Sequence, residues 1–136
     1  MKIVIDSNIL FAALLKPGLT YNLLFGDAQY YFPSHSLHEL EKYKPYFCKK
    51  LQISERDLEL VIKKTLKRIV LVPRYKVEPR LPEAELVMRN IDIDDALFIA
   101  CALAVGAHYI WSEDNHLKKQ DVISVVNTKE LLQLSK

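Results

Sequence analysis

Apolar residues change their spacing repeatedly along the chain, and each change marks an element. "KIVI" at 2–5 is a short, β-branched run, followed after Asp6 and Ser7 by "NILFAALL", whose apolar content suits a helix up to the break at Lys16-Pro17-Gly18. "QYYFPS" reads as a second strand, and "SLHELEKYKPYFCKKL" as a helix bent or broken near Pro45. Ser54 with Asp57 resembles a capping box that opens "SERDLELVIKKTLKRI", where Leu58, Val61, Ile62, Leu66 and Ile69 keep the helical period of a surface helix. "IVLVP" is a third strand. Pro79 and Pro82 mark a loop, and "PEAELVMRN" is a short helix with Pro82 near its first turn.

The run from Ala96 to Val105 is apolar on every side, so it predicts a helix in the middle of the fold, closed at Gly106 by a left-handed cap. "HYIWS" and "VISVV" are the fourth and fifth strands, and Thr128 caps a last helix, "KELLQL". Strands that alternate with helices imply an α/β fold with a largely parallel sheet. The chain shows no internal repeat, low-complexity tract or linker, which predicts a single domain over 1–136.

Composition agrees. With 136 residues, half of them apolar, the chain can bury one core but not two. No segment reaches the roughly 20 uncharged apolar residues of a membrane span, and Asp6 interrupts "MKIVIDSNIL" before a signal-peptide core develops, so a soluble, cytoplasmic protein is expected. Cys48 and Cys101 lack CxxC spacing and read as reduced packing thiols. A net charge of +2 does not by itself announce a nucleic-acid partner. Its distribution matters more: with five of the 17 acids gathered in one pocket, 19 basic residues would face 12 acidic ones elsewhere.

In a parallel sheet, sites form beyond the carboxyl ends of the strands. Asp6 ends "KIVI", Asp114 lies just past "HYIWS", and Asp92, Asp94 and Asp95 stand at the mouth of the apolar helix, with Glu39 in the helix after the second strand. Asp92 and Asp95, three apart, share about one face, whereas Asp94 suits a plain cap that complements the helix dipole. Singly, each acid has a structural role open to it as a cap, an Asx turn or a solvated helix residue. Jointly, carboxylates from separate segments at one edge repel each other unless a cation is present. All-carboxylate ligation suits Mg²⁺ or Mn²⁺, and such ions act on phosphodiesters. Ser7, Asn8 and Ser112 would orient the acids from behind.

At these residues the sequence resembles the PIN-domain nucleases, a family that includes the toxin ribonucleases of VapBC-type toxin–antitoxin pairs. "VIDSNIL" resembles the opening Asp-Thr/Ser-Asn signature, "PSHSLHELEK" the helix with an acidic residue, "DIDDALFIACAL" the Asp-Ala helix and "IWSEDNHL" the Thr/Ser-x-Asp turn. The resemblance spans nearly the whole chain. It implies a three-layer α/β/α fold with a mainly parallel sheet of about five strands, Mg²⁺- or Mn²⁺-dependent cleavage of RNA, a homodimer and a small antitoxin partner. Carried over residue by residue, it implies Asp6, Glu39, Asp95 and Asp114 as the catalytic acids, with Asp6, Asp95, Asp114 and Asp92 toward metal. His116 departs from the pattern, since many relatives carry an acid there, and Ser112 replaces the commoner Thr.

Other chemistries lose ground. A haloacid-dehalogenase phosphatase needs a second Asp where this chain has Asn8, and neither a P-loop nor HExxH occurs. His35, His38, His108 and His116 read as surface or capping residues. Lys63, Lys64, Lys67 and Arg68 read as a solvated helix face before an RNA track, and Tyr30, Tyr31, Tyr43 and Tyr46 as packing residues before base-stacking ones. The non-enzyme alternative is a PIN-like RNA-binding or protein-interaction module, against which the retained carboxylates argue.

Overall fold

The computed structural model describes residues 1–16 and 18–134. Five strands, β1 (Lys2–Ile5), β2 (Gln29–Pro33), β3 (Ile69–Val72), β4 (Tyr109–Trp111) and β5 (Ser124–Val126), form one sheet in the order β3-β2-β1-β4-β5, every pair parallel. Central β1 sets Val4 beside Tyr31 on one side and Ile110 on the other. Ile3, Val4 and Ile5 are fully buried, as a strand covered on both faces requires. At the edge, β3 leaves Val70 half exposed.

From β1 to β2 to β3 the chain moves one way across the sheet, through α1 (Ser7–Leu15), α2 (Leu19–Leu24), α3 (His38–Leu51) and α4 (Glu55–Leu66). It then returns past β1 to β4 through α5 (Arg74–Val77), α6 (Leu81–Met88) and α7 (Ala96–Val105), and ends in α8 (Thr128–Leu134). Right-handed crossovers place those two groups on opposite faces, which gives the expected α/β/α layers. α7 lies against β1, β2 and β4 with α6 behind it, and its fully buried Ala100, Cys101 and Ala102 allow close approach to the sheet. Burial pushes the Cys101 thiol up to about 12, so it stays a neutral packing group, and both cysteines are free.

Several local expectations hold and others do not. Ser54 caps α4, its hydroxyl accepting from the Asp57 amide at 3.1 Å, and Gly106 closes α7 at φ 66°. The break expected at Lys16-Pro17-Gly18 centres on Pro17, which lies outside the described residues; α1 ends at Leu15 with Lys16 as its extended cap. α3 runs unbroken through Pro45, because Pro45 is on the exposed side, where water can hydrate the carbonyl it frees, while Leu40 and Phe47 anchor the other side in the core. The loop expected around Pro79 is instead helical: α5 leads into a 3-10 turn, Glu78–Arg80, in which Pro79 occupies an early position that needs no amide donor. α8 is capped by Asn127, not Thr128. Asn127 Oδ1 accepts from the Glu130 amide at 2.8 Å and Glu130 Oε1 accepts from the Asn127 amide at 3.1 Å. The Thr128 hydroxyl is already engaged by the Trp111 indole at 3.0 Å.

Candidate active site

The strand order reverses direction between β1 and β4: the chain leaves β1 toward β2 and leaves β4 toward β5. Loops that diverge from two neighbouring parallel strands open a crevice at their carboxyl ends. Asp6 follows β1 directly and Ser112 follows β4 directly, so both face that crevice from its two walls.

Asp6 is 5% exposed and held by both oxygens. Oδ1 accepts from the Ile9 amide at 2.9 Å, which caps α1, and Oδ2 accepts from the Ser112 hydroxyl. Burial raises the Asp6 pKa above its ordinary value, the bonds from Ser112 and Ile9 oppose that rise, and the charges of Asp114 and Glu113 add to it. The β4 wall is folded by its own hydrogen bonds: Ser112 Oγ accepts from the Asp114 amide at 2.9 Å, and Asp114 Oδ1 accepts from the His116 amide at 2.8 Å. Ser112 is thus the hinge between Asp6 and Asp114. Its hydroxyl gives its proton to one acid and fixes the backbone of the other.

The third wall is the entry to α7. A 3-10 turn, Ile93–Asp95, precedes the helix, and Asp92 Oδ1 accepts from the Asp94 amide at 3.1 Å. The capping carboxylate is therefore Asp92. Asp94, expected to cap, is exposed and contributes its amide as the donor instead, because a cap must precede the turn whose free amide it accepts. Asp95 turns inward: as a carboxylate, its Oδ2 is buried with no hydrogen-bond partner. Burial first, then the charges of Asp114 and Asp92, a hydrogen bond with Asp114 that needs the protonated form, and the charge of Asp6 push the Asp95 carboxyl up to about 7.

Of the residues singled out in the sequence, Asp6, Asp92, Asp95 and Asp114 form one electrostatic cluster. Glu39 is not among the charges acting on that cluster; it meets Ser7, the neighbour of Asp6, whose hydroxyl donates to Glu39 Oε1 at 3.5 Å, at the outer limit of a hydrogen bond. The Ser7 hydroxyl donates to Glu39 and the Ser112 hydroxyl to Asp6, while Asn8 is exposed. The sequence reading passed over His116 as a partner of the cluster. Its Nδ1 lies 3.2 Å from Asp114 Oδ1, and ligand atoms of Asp92, Asp114 and His116 all lie within 4.8 Å of one another. The available signal was its place two residues beyond Asp114, which puts both side chains on the same tight turn.

The donor set suits a divalent cation. Among the described residues the cluster draws no lysine or arginine into an ion pair; His116 is its basic contact. Once ionised, Asp95 leaves a buried oxygen without a donor, and carboxylate oxygens with an imidazole are ligands that Mg²⁺ or Mn²⁺ accepts.

A family model described as PIN domain matches residues 4–135. Among solved structures the chain is similar to VapBC2 from Rickettsia felis, crystallised with a DNA fragment from the pair's promoter. The TM-score is 0.71 at 20% identity, over 93% of this chain and 98% of that one, a likeness of fold. No curated protein matches the chain in sequence.

Proposed function

The chain belongs to the PIN-domain family, and on that premise we propose that it is a Mg²⁺- or Mn²⁺-dependent endoribonuclease, the toxin of a toxin–antitoxin pair. The observation that carries the reading is the buried, unpartnered oxygen of Asp95 facing three more carboxylates at the sheet crevice. Asp6, Asp95, Asp114 and Asp92 would hold the cation. When bound, it supplies charge neutralisation at the phosphodiester, a lowered pKa for a bound water and stabilisation of the leaving oxygen.

The side chains divide the remaining work. Asp6 cannot swing, since the Ile9 amide and Ser112 hydroxyl engage both its oxygens, so it presents a fixed negative edge. Ser112 couples that edge to Asp114, and the Asp92 turn fixes the backbone that aims Asp95 inward. Glu39, in α3 and beside Ser7, would orient water or take a proton.

The partner reading draws on two features. The fold neighbour was solved as a VapBC2 pair, and this chain exposes apolar side chains such as Leu19, Phe25 and Leu60 on the helices and at their ends. A homodimer and a small antitoxin that places an Arg or Lys in the acidic crevice would cover such surfaces.

The test is cleavage of structured and unstructured RNAs by the purified protein with Mg²⁺, with Mn²⁺ and with EDTA, beside Asp95→Asn. Cleavage that needs both the cation and Asp95 is the expected result. RNA binding without cleavage under every condition would replace the nuclease with an RNA-binding module.

A further inference from the structure

We infer that His116 is a direct ligand of the cation, and that its imidazole makes the site prefer Mn²⁺ to Mg²⁺. The inference rests on the nuclease reading for the presence of a cation and goes beyond it in assigning a nitrogen to the ligand set.

The geometry is that of a small chelate. The turn after β4 is folded twice over, by Asp114 N–H on Ser112 Oγ and by His116 N–H on Asp114 Oδ1, and the second bond draws the two side chains to one side. Asp114 Oδ1 and His116 Nδ1 come to stand 3.2 Å apart. Neighbouring donors at right angles on one cation, each at about 2.1–2.2 Å, stand about 3 Å apart. Asp92 reaches the same point from the entry to α7, so three donors from two segments converge within 4.8 Å. Because the backbone turn is closed by main-chain donors, exchanging the Asp114–His116 side-chain contact for a shared cation requires no refolding of the loop.

The chemistry then sets the preference. Mg²⁺ holds oxygen ligands and sheds its water reluctantly, whereas Mn²⁺ accepts imidazole nitrogen beside carboxylates and tolerates irregular geometry. A carboxylate at position 116 would have kept the set all-oxygen. An imidazole there replaces a charged oxygen with a neutral nitrogen, which weakens the site for the harder ion and keeps it for Mn²⁺. His116 is more than half exposed, so the nitrogen is open to an ion arriving from solvent.

Pulsed EPR of Mn²⁺ bound to the whole protein reads the ligand directly, without reference to turnover. Wild type should show nitrogen hyperfine coupling that is lost in His116→Ala and in His116→Asp but retained in His38→Ala, another exposed histidine of the same edge. By calorimetry, His116→Ala should weaken Mn²⁺ about tenfold and Mg²⁺ by much less, and His116→Asp should narrow the gap between the two ions. Manganese that binds wild type, is lost in Asp114→Asn and carries no nitrogen coupling would overturn the role of His116 while leaving the nuclease reading standing. Failure of any divalent cation to bind would overturn both.

Discussion

The two ends of α7 solve opposite problems. At its carboxyl end the last turn is closed by donors: Gly106 turns left-handed at φ 66°, its amide and that of Ala107 both reach the Ala102 carbonyl, and Lys2 Nζ donates to the Val105 carbonyl at 3.2 Å, a cation on the negative end of the helix dipole. At its amino end, Asp92 spends its oxygen on the preceding turn, and Asp95 points a buried oxygen at other acids. The dipole there favours negative charge, but not four carboxylates within reach of each other. One end of the same helix is built for stability, and the other is kept under electrostatic strain that a bound cation would relieve. That contrast is the strongest physical sign of where this molecule works.

The largest break in the contrast should come from Asp95→Asn. The amide keeps the shape and removes the charge that would hold the proposed cation. Losing a group that merely supports a ligand costs up to about 100-fold, so losing Asp95 should cost RNA cleavage at least ~100-fold. Metal-free stability should be unchanged or higher, since an unpaired buried charge disappears. A variant that cleaves at the wild-type rate would remove Asp95 from the site.

Next comes the response to pH. Asp95, held up to about 7 against an ordinary 3.8, keeps its proton in the folded chain when the unfolded chain has lost it. For an acid shifted upward, that contribution to stability is present below about 4 and is lost as pH rises through about 7. Asp6, also shifted upward, acts in the same sense. Asp95 is partly exposed, so screening reduces the effect to about 1–2 kcal/mol. Urea unfolding in EDTA should therefore show lower stability at pH 8 than at pH 5, with the difference reduced in Asp95→Asn and cancelled by millimolar Mn²⁺. A metal-free protein that grows more stable across that interval would contradict the strained amino end.

The settled end has its own test. A Cβ on Gly106 would meet nothing within 4 Å, so Gly106→Ala isolates the cost of the left-handed backbone, about 1 kcal/mol. The thermal midpoint should fall while metal affinity and cleavage stay as they were. Loss of metal binding in this variant would mean that the two ends are not independent.

How far the sequence carried these conclusions depends on how local each signal was. The strands, the all-round apolar α7 and its Gly106 cap were legible because period and punctuation agree over single segments. α2 was missed: its six residues, Leu19–Leu24, are too few to show a period. Pro45 and Pro79 misled because a proline's effect depends on which side of the helix or which turn position it occupies, and this is set by tertiary packing. The acids at the strand ends were legible from the parallel-sheet rule together with the family resemblance. Ser112 reaching Asp6 across 106 positions, and His116 turning back onto Asp114, depend on strand pairing and loop closure that no spacing in the sequence displays.

The smallest effect is expected at Asp94, where the structure reverses the sequence reading. Among three adjacent acids, Asp94 first reads as the cap whose loss would cost about 1 kcal/mol. It is instead the exposed residue whose amide is capped, and an alanine keeps that amide. Its charge does two opposing things: it favours the positive end of α7, and it adds to the repulsion felt by Asp92 and Asp95. The two nearly cancel, so Asp94→Ala should shift stability by less than about 0.5 kcal/mol and leave cleavage intact. Asp92→Ala removes the acceptor itself and should cost about 1 kcal/mol as well as weakening Mn²⁺. Thermal midpoints and Mn²⁺ affinities of the two variants, measured side by side, decide between the readings. A destabilised Asp94→Ala beside an unaffected Asp92→Ala would return the cap to Asp94 and dissolve the distinction drawn among the three carboxylates.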